Sequence, residues 1–299
     1  MTDRISFQDQ INSNKAKSVF LMFAIIVAFI ILGFVISKFL DPSYFFIIMI
    51  ISIIFSLLYT VISYYNADKI ALASVRAKPA SREEHKMLFN SVENMALASG
   101  LPAPRIYVMD SSEINAFASG RDPKHAVICV TTGALEKLNK QELEGIIAHE
   151  MAHVANYDIR FMTLTAVLVG MVSIAAEIFL RSLWFSNNDR NSRGNAILMI
   201  IGILFAIIAP IAAQLVSLAI SRRREYTADA TGVKFTRYPP GLANALKKIK
   251  HEHVPAGESR KYPKAVAPLF ISDPFKKKLT NLFSTHPPVD ERIRRLEQM

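Results

Sequence analysis

Four apolar runs decide what this chain can fold into. Residues 18–37 and 44–63 are almost free of charge, and 161–180 and 196–220 repeat the pattern, broken only by Glu177 in the third run and by Pro210 and Gln214 in the fourth. About 20 apolar residues are what a helix needs to cross the hydrocarbon core of a bilayer. Inside that core a helix satisfies its own backbone, so each run is expected to be a transmembrane helix. The first run is too long for the apolar part of a cleavable signal peptide. No small-residue cleavage site follows it, and Lys38 to Asp41 leads straight into the second run. The chain is therefore read as an integral, multi-pass membrane protein rather than a secreted one.

The net charge of +10 would suit a nucleic-acid binder, but the positions of the charges argue against one. Lys15 and Lys17 precede the first run, and Lys69, Arg76 and Lys78 follow the second. Arg160 precedes the third, and Arg222, Arg223 and Arg224 follow the fourth. Cytoplasmic loops carry such an excess of Lys and Arg. Arg181, Arg190 and Arg193, between the third and fourth runs, weaken the asymmetry. The balance still places the N-terminus, residues 64–160 and residues 221–299 in the cytoplasm. A basic surface facing anionic lipid accounts for the charge, so the bilayer is the expected partner and nucleic acid is not. The single cysteine, Cys129, precludes an intramolecular disulfide and suits a reducing compartment.

The runs divide the chain. Residues 1–66 form an N-terminal membrane hairpin turning at Asp41-Pro42. Residues 67–160 are the first half of a cytoplasmic domain, 161–220 a second membrane hairpin, and 221–299 the second half of the domain. In the first half, 81–99 reads as a helix with Leu88, Val92 and Met95 on one side and Gly100 as its stop. Short β-rich stretches follow at 105–109, 114–118 and 126–131, with a turn at Gly120-Arg121-Asp122-Pro123. In the second half, 222–233 reads as a helix, 251–285 as Pro- and Lys-rich irregular chain, and 290–298 as a short terminal helix. The fold class is thus mainly α, with a small sheet.

His149-Glu150-Met151-Ala152-His153 carries the chemistry. Two histidines four apart on a helix lie about 40° apart around its axis, so both can reach one ion. Glu150 lies about 60° beyond His153, close enough to touch a water on that ion without binding the ion. A zinc-activated water with a carboxylate general base has this geometry. The helix is credible: Asn139 can cap it, Glu142 completes a capping box, and Leu143, Ile146, Ile147 and Met151 recur near helical spacing. Ionisable groups on a buried helix need partners, and a metal is one.

A catalytic zinc needs a third protein ligand and an open position. His85 lies among Glu83, Glu84 and Lys86 and reads as solvated, His125 lies in a turn, and His251 and His253 flank Glu252 in a charged stretch. Glu177 is intramembrane, but Arg181 at i+4 makes an ion pair the better reading. Glu225 and Asp229 remain, four apart on one helical face, where one carboxylate can bind metal and the other can accept the free N–H of a ligating histidine. Two predicted spans separate His153 from Glu225. That even number returns the chain to the side it left, as a shared ion requires.

These elements together resemble the HtpX-type membrane zinc metalloproteases, bacterial relatives of the CAAX prenyl endopeptidase and of mitochondrial OMA-type enzymes. The resemblance rests on His149 to His153, then Asn156 and Asp158, a membrane hairpin, Ser221-Arg222-Arg223-Arg224-Glu225-Tyr226-Thr227-Ala228-Asp229-Ala230, and Ser284-Thr285-His286-Pro287-Pro288. Ile114-Asn115-Ala116-Phe117-Ala118 adds to it. It implies four transmembrane helices and a cytoplasmic α+β zincin-like domain of the gluzincin type. It also implies one zinc held by His149, His153 and Glu225, with Glu150 as base and Asp229 behind the ligands. The implied activity is endoproteolysis of membrane proteins in stress response and quality control at the bacterial inner membrane, with the active site cytoplasmic. His286 is the expected oxyanion donor, or else a loop histidine. Asn115 is expected beside extended substrate on an edge strand, or else as an ordinary strand-end residue. Two other readings stand beside this one: a processing peptidase of narrow, CAAX-type specificity, and a membrane scaffold that keeps a structural zinc.

Overall fold

The computed structural model describes residues 7–37, 42–167, 170, 222–252, 266, 269–272 and 287–299. The third and fourth predicted spans lie outside these residues except for 161–167 and 170, which are helical. Glu177, Arg181, His253 and His286 also lie outside them.

The first two apolar runs form helices α1, Phe7–Ser37, and α2, Phe45–Ser74, joined through a 3-10 turn at Pro42–Tyr44. Both are long and apolar enough to cross a membrane by length and composition. Phe20, Phe23, Phe46 and Ile54 are each more than half exposed, on faces that suit lipid rather than water. Both helices outrun their apolar stretches. The polar end of α2 stays helical past non-helical dihedrals at Asn66 because it packs against the sheet domain. Ala67, Asp68, Ala71 and Leu72 are buried there, and Asp68 pairs with Arg105.

The sheet has four strands in the order β1-β2-β4-β3. These are β1, Lys78–Pro79; β2, Arg105–Met109; β3, Ala116–Ser119; and β4, Val127–Thr131. β2 and β4 run parallel and the other pairs antiparallel, so β3 is an edge. β3 starts later than its sequence suggests because side chains take the preceding backbone donors. The N–H of Ile114 donates to Glu252 Oε2 at 2.8 Å, and that of Asn115 to Thr131 Oγ1 at 3.0 Å. Helix α3, Lys86–Ser99, likewise begins after the expected start. Residues 82–84 form a turn, and His85 N–H donates to Ser81 O at 2.9 Å. Gly100, at φ 69°, ends α3 in the left-handed conformation that glycine adopts without penalty.

A short helix α4, Thr132–Lys137, leads into α5, Lys140–Ala155, the motif helix and the centre of the core. Its start is the expected capping box: Glu142 N–H donates to Asn139 Oδ1 at 2.9 Å, and Asn139 N–H to Glu142 Oε2 at 2.8 Å. Three later helices surround it: Arg222–Thr236, Pro239–His251 and Val289–Leu296. The helix Pro239–His251 is not among the expected elements. Its signals were present: prolines at the helix start, then Leu242, Leu246 and Ile249 at helical spacing.

Two glycines set how closely the helices approach α5. A Cβ at Gly145 would lie 2.5 Å from the amide nitrogen of Leu242, and one at Gly232 would lie 3.1 Å from that of His149. Glu225, Asp229 and Gly232 fall on one stripe of their helix at i, i+4 and i+7. The face that Gly232 brings against His149 therefore carries both carboxylates.

Candidate metal centre

Helix α5 presents His149 and His153 one turn apart. Their rings stand edge to face, with centroids 4.7 Å apart and planes at 89°. Their Nε2 atoms lie 3.2 Å apart. Glu225 meets both from the facing helix: its Oε2 is 3.7 Å from His149 Nε2, and its Oε1 is 3.6 Å from His153 Nε2. All three side chains are buried, and their donor atoms lie within 4.8 Å of one another.

The far nitrogen of each ring faces a carboxylate. His149 Nδ1 is 2.9 Å from Asp229 Oδ1, and His153 Nδ1 is 3.0 Å from Asp158 Oδ2. A carboxylate on Nδ1 fixes the tautomer that leaves Nε2 with its lone pair toward the cluster. Asp229 was expected to accept the free N–H of a ligating histidine, and its neighbour is His149 Nδ1. Asp158 entered the sequence reading only as part of a pattern, without a role.

Arg292 was missed altogether. It is 1% exposed and donates twice to Asp229, from Nε to Oδ2 at 2.9 Å and from Nη2 to Oδ1 at 2.7 Å. Its Nη1 lies 3.4 Å from Glu225 Oε2. A signal existed. Val289, Arg292, Ile293 and Leu296 form one helical stripe, so an arginine sits on an otherwise apolar face. A buried guanidinium needs a buried carboxylate.

Burial and charge set the proton affinities here. For Asp229 burial opposes the charge, but Arg292 and His149 outweigh it and hold the carboxyl below its usual range. Burial and Arg292 lower His149. Burial also opposes charge on His153, but Asp158 and Glu225 win and raise it to about 9. A metal must therefore displace a proton from His153. Burial, with the charge of Glu225, pushes Glu150 up to about 8 against the pull of His153.

Glu150 sits beside the edge strand. Its Oε2 accepts from the N–H of Ala118 at 2.8 Å, while Oε1 is buried with no hydrogen-bond partner among the described residues. Asn115 is also buried, and its amide is committed to a chain segment. Nδ2 donates to Ser272 O at 2.9 Å, and Oδ1 accepts from Ala116 N–H at 3.1 Å and from Ser272 N–H at 3.3 Å. Ile271 N–H donates to Ala116 O at 3.0 Å, and Phe270 packs on Phe117 with centroids 5.4 Å apart. Residues 269–272 thus lie along the outer edge of β3. The other described histidines stand apart: His85 bonds Ser81 O, His125 pairs with Asp122, and His251 is exposed.

The donor set fits a divalent cation. Among the described residues Glu150, Asp158, Glu225 and Asp229 are buried beside two buried guanidiniums, Arg224 and Arg292. In the metal-free site the upward shifts of His153 and Glu150 put protons among these carboxylates, and a bound dication would take the place of that positive charge.

The chain is similar to known proteases over most of its length. The model of peptidase family M48 matches residues 82–299. A protease HtpX homolog from Thermoanaerobacter pseudethanolicus is 49% identical over 251 residues, covering 82% of this chain and 83% of its own length. One from Dictyoglomus thermophilum is 41% identical, covering 98% and 95%. A crystal structure of Ste24p from S. mikatae aligns over 96% of this chain and 66% of that protein, at 21% identity and a TM-score of 0.49.

Proposed function

The chain belongs to peptidase family M48 and is a metalloprotease, and on that premise we propose that it is a zinc endopeptidase of the bacterial inner membrane. Its proposed substrates are cytoplasmic or juxtamembrane segments of misfolded membrane proteins, cleaved in quality control. The convergence of His149, His153 and Glu225 beside the half-anchored carboxylate of Glu150 carries this reading. Two imidazoles and one carboxylate are a catalytic zinc donor set that leaves a fourth position open. When bound, zinc supplies Lewis acidity at the scissile carbonyl and lowers the pKa of a water toward ~7.

The chain's own residues do the rest. His149, His153 and Glu225 would hold the ion, with Asp229 and Asp158 keeping a ring proton on each Nδ1 so that both Nε2 atoms could serve as its donors. Glu150 takes the proton of the attacking water at Oε1 and returns it to the leaving amide nitrogen. The bond from Ala118 fixes Oε2 and leaves Oε1 for that transfer. Arg292 holds Asp229 ionised and in place. An extended peptide would pair with edge strand β3, beside Asn115, by displacing residues 269–272 from that edge. His286, carried over from the resemblance, is the oxyanion donor. Helices α1 and α2, with a second hairpin over 161–220, seat the site at the cytoplasmic membrane surface.

The test uses the full chain purified in detergent, with metal analysis and casein cleavage. We expect one zinc per chain, cleavage abolished by a chelator and restored by zinc. Cleavage indifferent to the chelator, or protein without zinc, would overturn the reading. Asp229→Asn should bind zinc roughly 10- to 100-fold more weakly, because the amide holds His149 and Arg292 less firmly. Chelator competition measures this, and unchanged affinity would remove Asp229 from the site.

A further inference from the structure

Resting on the zinc site proposed above, we propose that Asn14, near the start of membrane helix α1, is a positioning residue for that site, acting through Asp158 on His153. Asn14 is 1% exposed, although it lies in the polar stretch before the first apolar run. Its Nδ2 donates to Asp158 Oδ1 at 2.6 Å and to Asn156 O at 3.1 Å. Asp158, itself 0% exposed, faces His153 Nδ1 with its other oxygen at 3.0 Å. An amide NH2 group has two hydrogens to give, and each has a target here. One target is the carboxylate that orients a metal-binding ring. The other is the carbonyl of Asn156, the residue that caps α5 one turn beyond His153.

Packing alone does not call for an asparagine at this position. An apolar side chain of the same size would fill the space but leave Asp158 Oδ1 and Asn156 O without this donor. Lys17 and Arg224 add positive charge near Asp158. Asn14 therefore contributes direction rather than charge. Lys15, one residue on, lies over the ring of Tyr157 at 4.5 Å, so consecutive residues of α1 grip consecutive residues of the loop behind the motif helix. The seat of a membrane helix thereby fixes the pose of a metal ligand.

The experiment compares full-length wild type with Asn14→Leu, by chelator competition for zinc and by the visible absorption of the cobalt(II)-loaded protein. Loss of an outer partner of a metal ligand costs 10–100-fold in affinity, and for Asn14, one step further out, we expect about tenfold. A changed cobalt band, reporting an altered ligand pose, should accompany it. Asn14→Asp keeps the shape but sets an acceptor against Asp158, so it should weaken zinc at least as much and covers the case in which the leucine variant does not fold. In an Asp158→Asn background, adding Asn14→Leu should cost less than about twofold more, because a residue acting through Asp158 has nothing left to act on. Unchanged affinity and spectrum in both Asn14 variants, or an equal loss in both backgrounds, would overturn the proposal and leave the zinc site standing. Wild type that takes up no zinc would overturn both.

Discussion

Glu150→Gln is expected to bind zinc as tightly as wild type and to lose about 10²-fold or more in kcat. The carboxamide keeps the size of the side chain, and its oxygen can still accept from the N–H of Ala118, so the anchor at 2.8 Å survives. What disappears is the second oxygen, buried and without a partner among the described residues. An amide NH2 in that place cannot take a proton. Burial pushes Glu150 up to about 8 in the metal-free site, the direction that favours holding a proton once it has been taken. Metal analysis beside casein cleavage separates the two roles. Cleavage within tenfold of wild type would sink the assignment of Glu150 as base.

Glu225→Ala is expected to lose zinc and activity together. Removing a direct ligand should exceed the 10–100-fold cost of losing an outer partner, because one of the three donors among the described residues goes. The charge balance turns against the ion as well. With Glu225 gone, Arg292, whose Nη1 lies 3.4 Å from Glu225 Oε2, keeps its positive charge beside an emptied position. His251→Ala serves as the control, since His251 is exposed at the end of its helix and should leave zinc unaffected. Full zinc occupancy in Glu225→Ala would show that the third ligand lies elsewhere.

The sequence shows the parts of the site whose logic is local. His149 and His153 share a helix face because 3.6 residues make a turn, and Asn139 with Glu142 marks where that helix begins. Glu225 and Asp229 are legible for the same reason. Arg292 shows only its need for a buried carboxylate and Asn14 shows nothing, because the partner of each is far along the chain: Asp229 is 63 residues from Arg292, and Asp158 is 144 from Asn14. No periodicity or spacing encodes such pairs. Strand β3 shows a subtler limit. Ile114 and Asn115 have strand-like neighbours, yet their N–H groups are taken by Glu252 and Thr131, so the ladder starts after them. The helix Pro239–His251 is a different matter. Its spacing is readable, but Lys247, Lys248, Lys250 and His251 give its end the look of a solvated charged stretch.

The distance between Asn14 and Arg292 along the chain also sets an order in time. During synthesis His149, Glu150 and His153 leave the ribosome well before Glu225, and Glu225 well before Arg292. Until then the two histidines lack their third donor, and Asp229 lacks the guanidinium that holds it charged in the interior. Contacts this remote form slowly even once both ends exist, because a long loop must close first. The donor set of the metal site is therefore complete only after Glu225 has left the ribosome, and the support of Asp229 only after Arg292 has.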